Sequence, residues 1–108
     1  MIIPHTKHIK HSNSRVGDLS EFYAITWLWD QGYEVFPNAG STGMVDMVAW
    51  HPETEETILI DVKTARKTQI QEDDVSKHRT QAQIKKGVQI VVYNADTRNL
   101  KFVEHRDE

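Results

Sequence analysis

The chain has 108 residues, of which 38% are apolar and 27% charged, and it carries a formal net charge of −3. That is enough chain for one domain around one core, with the composition of a globular protein rather than a disordered or fibrous one. With no cysteine, disulfides, thiolate metal sites and a thiol nucleophile are excluded. No apolar run approaches the roughly 20 residues that a membrane span needs. The opening MIIPHTKHIKHSNSR lacks the apolar centre of a signal peptide, so the expectation is a cytoplasmic protein with no membrane partner.

Positive charge is unevenly placed. Lys7, Lys10 and Arg15 stand with His5, His8 and His11 in a stretch that holds no acid. Lys63, Arg66 and Lys67 cluster further on, and Lys77, His78, Arg79, Lys85 and Lys86 follow. Acids gather in ETEE at 53–56, in EDD at 72–74 and at the end of the chain. A basic face on an acidic protein and a mixed solvated surface both fit this pattern.

In chain order, residues 1–12 read as a flexible basic arm. Apolar residues at spacings of three and four (Leu19, Phe22, Ile25, Trp29) predict a helix from about residue 15 or 18 to 31, stopped by Gly32. YEVF at 33–36 reads as a short strand closed by Pro37, and NAGSTG at 38–43 as a glycine-rich loop. MVDMVAW at 44–50 and TILIDVKTA at 57–65 read as central strands joined by a turn. Residues 66–75 are polar and read as loop. SKHRTQAQIKK at 76–86 predicts a helix ending at Gly87, VQIVVYN at 88–94 a strand, and LKFVEH at 100–105 a final strand. The order α-β-β-β-α-β-β predicts an α/β domain with a central mixed sheet flanked by helices.

Acids sit inside the two most strand-like segments. Alternation puts Ile58, Ile60 and Val62 on one face of their strand and Leu59, Asp61 and Lys63 on the other. Asp46 lies in the preceding strand, which can pair beside it, so two carboxylates and an ammonium can meet on one patch. An Asp–Lys ion pair on a half-exposed strand explains Asp61 and Lys63 but leaves Asp46 unexplained. Two neighbouring carboxylates raise each other's pKa unless a cation joins them. A hard divalent ion such as Mg2+ accepts one or two carboxylates plus other oxygens, and the Val62 carbonyl is a further candidate. Lys63 could orient a water or neutralise a phosphate. Glu21 borders the apolar side of its predicted helix as another candidate ligand, while Asp18-x-x-Glu21 also fits a capping box.

These residues resemble the PD-(D/E)XK nuclease superfamily. Asp46, a gap of 14 residues and then Asp61-Val62-Lys63 are similar to its signature, with Asp at the third position and Val45 where the family name has Pro. RVGDLSEFYAITWLWDQGYEVFPNAGSTGMVDMVAW resembles the N-terminal half of Holliday junction resolvases and small phage nucleases, and the likeness covers roughly residues 15–67. It implies a restriction-endonuclease-like core, catalytic or metal-binding roles for Glu21, Asp46, Asp61 and Lys63, and Mg2+ as cofactor, with Mn2+ able to substitute. TQAQIKKGVQIVVYN resembles the helix-then-strand of related phage nucleases, in which one Gln faces the site. Gln83 is the first choice for it and Gln81 the competitor; both could instead face solvent.

The expected function is a metal-dependent DNA endonuclease, resolvase-like on branched DNA, in the host cytoplasm if the chain is phage-encoded. A site-specific homing or restriction-type enzyme, an idle nucleic-acid-binding module and a plain interaction protein are the alternatives. Ser41, Thr42, Lys7, Lys10, Arg15 and Lys67 are the expected phosphate contacts. The three spaced histidines could hold a metal, but surface or DNA-contacting roles fit them as well. Trp27, Trp29 and Trp50 suit a core or a dimer contact better than base stacking. A homodimer is expected, because one chain carries one Asp-x-Lys constellation and a junction needs two cuts; a monomer that only nicks is the alternative.

Overall fold

The first helix begins before the point that its apolar pattern predicts. In a computed structural model of the chain, which describes residues 9–40, 42–65 and 79–104, α1 spans Asn13–Asp30. The Ser12 hydroxyl caps it by accepting the Arg15 N–H at 3.2 Å. Asp18 is therefore well inside the helix, and the Asp18–Glu21 capping box does not form. The buried face of α1 is Val16, Ser20, Ala24 and Leu28, at a strict spacing of four. The expected stripe of Leu19, Phe22, Ile25 and Trp29 is displaced, with Phe22 68% and Trp29 58% exposed. Ser20 and Ala24, the small residues in the middle of that face, leave room for the helix backbone to come near the sheet, where bulky aromatics would hold it away. The helix stops at Gly32, whose φ of +95° suits glycine and where a Cβ would stand 2.8 Å from His51 Nε2.

The strands are β1 (Glu34–Pro37), β2 (Met47–Trp50), β3 (Thr57–Ala65), β4 (Gln89–Asn94) and β5 (Leu100–Phe102), with α2 (Gln81–Lys86) between β3 and β4. They form one mixed sheet in the order β1-β2-β3-β4-β5. All neighbours are antiparallel except β3 and β4, which run parallel. Edge position explains why β1 can end on Pro37, which has no N–H to donate. Met47, Ala49, Ile60 and Val91 pack under Ala24 and Leu28 of α1. Ala65, Ile90, Val92 and Val103 form a second cluster, which alternation along β4 places on the opposite face.

Several elements are shorter than the sequence pattern suggests, β4 among them, which starts at Gln89 rather than at residue 88. The strand β2 starts at Met47 rather than at residue 44, so Asp46 stands just before it. The helix α2 starts at Gln81, because Thr80 caps it: the Thr80 hydroxyl accepts the Gln83 N–H and the Gln83 side chain accepts the Thr80 N–H. Residues 76–78 of the predicted helix, the predicted loop 66–75 and most of the predicted N-terminal arm lie outside the described residues. The strand β5 ends at Phe102.

The close approach of α1 can be tested. Ala24→Leu should cost about 1–3 kcal/mol through overpacking against the sheet, whereas Thr26→Leu on the exposed side should stay within about 0.5 kcal/mol of wild type, both read from urea unfolding.

Candidate active site

The site arises where a strand pairing stops. Strands β2 and β3 are paired only as far as Met47 opposite Ile60, while β3 runs on through Asp61–Ala65 alongside β4. The next ladder donor on the open side of β3 is the Val62 N–H. Asp46 Oδ2 accepts it at 2.7 Å, so a side-chain oxygen stands where the carbonyl of a longer β2 would have been. The backbone of Asp46 is fixed as well: its N–H donates to the Ile60 carbonyl at 2.8 Å and its carbonyl accepts the Asn38 N–H at 2.9 Å.

Asp61 is 8% exposed and shares a face of β3 with Lys63. Its Oδ2 is 3.3 Å from the Lys63 ammonium and accepts Gln83 Nε2 at 2.8 Å. The same Gln83 amide nitrogen donates to the Met44 carbonyl at 2.8 Å. One buried side chain thus caps α2, holds Asp61 and anchors the loop that leads to Asp46. Gln81 is exposed. On the other side, Ser20 Oγ donates to the Val16 carbonyl at 2.8 Å and lies 2.6 Å from Thr64 Oγ1. With its proton committed to Val16, Ser20 accepts from Thr64, and this pins α1 to β3 one residue before Glu21. Glu21, Asp46, Asp61, Lys63, Thr64 and Gln83 line one cavity of about 520 Å³.

The negative charge in this cavity is under strain. The Asp46 carboxyl is pushed up to about 6, mainly by burial. The Val62 N–H pulls the other way, and contact with Asp61 and the charges of Asp61 and Glu21 add to the rise. Glu21 is also raised, by burial first, then by Asp18 and Asp61. Among the described residues, no group of three or more His, Asp or Glu side chains is gathered closely enough to hold a metal unaided. The donor chemistry nevertheless fits a hard divalent ion, for which two carboxylates and a carbonyl, completed by waters or phosphate, suffice. Carboxylates that resist ionisation together are what a cation would relieve.

The remaining sequence candidates are scattered. Ser41, Lys7, Lys67, His5 and His8 lie outside the described residues. Thr42 and Arg15 are exposed, and Lys10 and His11 line a different cavity. Trp27 packs against Phe102 with ring centroids 5.4 Å apart, Trp50 is half-buried and Trp29 is exposed.

Sequence reasoning missed two supports. Asn38 closes the glycine-rich loop, donating from Nδ2 to the Thr42 and Val45 carbonyls at 2.6 and 3.0 Å and accepting the Gly40 N–H at 3.1 Å. Its signal was Asn followed by Ala-Gly, an Asx-turn pattern. Thr80-x-x-Gln83 was legible as a capping box.

The family model described as "Archaeal holliday junction resolvase (hjc)" matches residues 12–107. The chain belongs to the archaeal Holliday junction resolvase family. This is a PD-(D/E)XK nuclease family, and its members are metal-dependent endonucleases acting on branched DNA. The resemblance read from the sequence and the restriction-endonuclease-like α/β fold therefore hold. No curated protein matches the chain. For this resolvase-family chain no described helix is long and apolar enough to cross a membrane.

The strain on Asp46 has a definite sign. A carboxyl whose folded pKa is raised from 3.8 to about 6 leaves the folded state unpenalised below pH 3.8 and costs stability progressively as pH rises through 6. Metal-free Asp46→Asn should therefore melt above wild type at pH 7.5, and the difference should vanish near pH 4. Calorimetry in EDTA checks this. Adding Mg2+ at pH 7.5 should raise the wild type more than the variant.

Proposed function

We propose that the chain is one nuclease domain whose cavity around Asp46 and Asp61 cuts the strands of a Holliday junction. The observation that carries the reading is the Asp46 carboxylate seated on the Val62 N–H at 2.7 Å beside buried Asp61, in a chain of this family. Asp46, Asp61 and the Val62 carbonyl would hold Mg2+, with Mn2+ able to replace it, and Glu21 would add an outer ligand. An ion held there supplies Lewis acidity toward the scissile phosphate and lowers the pKa of a bound water. Lys63 orients the attacking water and offsets the charge of the phosphate, from a position fixed by Asp61. Gln83 keeps the Asp61 carboxylate turned toward the cavity. Ser41, Thr42, Lys7, Lys10, Arg15 and Lys67 take flanking phosphates, which sets a salt-dependent affinity.

Symmetrical resolution needs two cuts, and a two-fold homodimer supplies two such sites. Trp29, 58% exposed on the last turn of α1, offers apolar surface at the end of the helix opposite Gly17 and Glu21. An interface there leaves both cavities free.

Asp61→Asn should abolish cutting of a four-way junction in Mg2+, and Lys63→Ala should turn over slowly while still being stabilised by Mg2+. Gln83→Ala should lose about 10–100-fold in metal affinity or rate, the usual effect of removing a carboxylate's hydrogen-bonded support. A gel assay with junction, flap, nicked and linear DNA reads all three, and normal cutting by Asp61→Asn would sink the assignment. In light scattering at micromolar concentration the protein should have the mass of a dimer and resolve junctions by paired cuts. A persistent monomer that gives only nicked product would leave the nuclease and remove the dimer.

A further inference from the structure

We propose that a second cavity, on the other flank of α1 from the acidic one, binds a backbone phosphate on a DNA strand other than the one being cut. This rests on the resolvase reading above and adds a site to it. The cavity measures about 380 Å³ and is lined by Lys10, His11 and Arg98 against an apolar wall of Val16, Leu19 and Tyr93. Asp96 also lines it, yet its donors are cationic where those of the first cavity are acidic. It is suited to an anion and not to a metal.

Arg98 is the best-prepared of these groups. It closes the β4–β5 turn with its N–H on the Asn94 carbonyl at 2.8 Å, and it does so at a φ of +67°, a conformation that L residues with side chains seldom adopt. Its guanidinium donates from Nη1 to the Tyr23 hydroxyl at 3.1 Å and lies 5.3 Å from the centre of that ring. Tyr23 in turn stacks on Tyr93, with centroids 5.3 Å apart and planes 11° from parallel. The arginine is thus held in place before any ligand arrives. Its Nε–H is buried, and no acceptor meets it among the described residues. That nitrogen is closed to the cavity. The guanidinium that lines the cavity nevertheless offers other N–H donors, in a planar array that matches phosphate geometry better than a point charge does.

Placement gives the site a role in junction recognition. Thr64 pairs with Tyr93 across β3 and β4, strands that lie roughly 5 Å apart. The Ser20–Thr64 contact therefore separates the acidic cavity, which Gly17 and Glu21 reach, from the cationic one, which Val16 and Leu19 reach. One nucleic acid laid over the N-terminal half of α1 meets both. Near the exchange point of a junction, strands of different arms run close together, so the scissile strand and a neighbour can occupy the two cavities at once.

The test is the salt dependence of binding to a four-way junction in EDTA, where no strand is cut. Each lost phosphate contact should flatten the slope of log affinity against log salt by about 0.9. Arg98→Gln should show that flattening, and Arg98→Lys should keep most of the wild-type slope because the charge remains. A purely structural Arg98 would lower the melting temperature of Arg98→Gln and leave its slope at the wild-type value, which overturns the proposal. Should Arg98→Gln fail to fold, Tyr23→Phe decides: it frees the guanidinium without changing charge, so junction affinity should fall several-fold at constant slope, and wild-type affinity would overturn the site. Wild-type protein that does not bind the junction at all overturns both this site and the resolvase reading. Binding by wild type with an unaltered slope in a folded Arg98→Gln overturns this site alone.

Discussion

Everything in the acidic cavity depends on one interrupted ladder. Had β2 continued opposite Asp61, its backbone would have taken the Val62 N–H and filled the space beside it. Because β2 begins only at Met47, Asp46 completes the hydrogen bonding with a carboxylate, and the open edge of β3 becomes a place where another molecule can lie. The substitution is economical in polar groups: no N–H of that edge is left without an acceptor at Val62, and a negative charge is placed next to a second one. The penalty is the crowding that lifts Asp46. The loop from Asn38 to Val45 exists to make this turn, with Asn38 taking over the backbone groups that a strand would have satisfied.

How much of this the sequence revealed depended on which kind of pattern carried it. The nine residues of β3 were legible to their ends, because alternation, β-branched residues and flanking polar turns agreed. Asp61 and Lys63 were correctly placed on one face for the same reason. The face of α1 was misread, because hydrophobicity was weighed by side-chain size while the contact selected for small size. Ser20 and Ala24 look unremarkable in a one-dimensional pattern, yet both are buried in the middle of the face that α1 turns to the sheet. The end of β2 was equally hidden. MVDMVAW is continuous in its apolar residues, and only the competition between Asp46 and a backbone carbonyl for the Val62 N–H decides where pairing stops. The Asp18–Glu21 box failed for a simpler reason, since Ser12 already offered a cap a turn and a half earlier.

The two flanks of α1 show how a small domain divides labour over a narrow region. The helix contributes a carboxylate toward one cavity and an apolar wall to the other, and the Ser20–Thr64 pair keeps them apart. The two sides also differ in charge, with Glu21, Asp46 and Asp61 on one and Lys10 and Arg98 on the other. In a protein of net charge −3, such local placement matters more than the overall sign.

Gln83 has a consequence of a different kind. A helix of six residues has little stability of its own, since nucleation is costly and few bonds repay it. The helix α2 therefore persists because its capping glutamine is also tied to Asp61 and to the Met44 carbonyl. Fraying of α2 and disarming of the carboxylate are then a single event, a local opening whose free energy is set at the site itself. Whatever tightens Asp61 will slow the exchange of the α2 amides with solvent, so this short helix reports on the state of the carboxylate-bearing edge of β3.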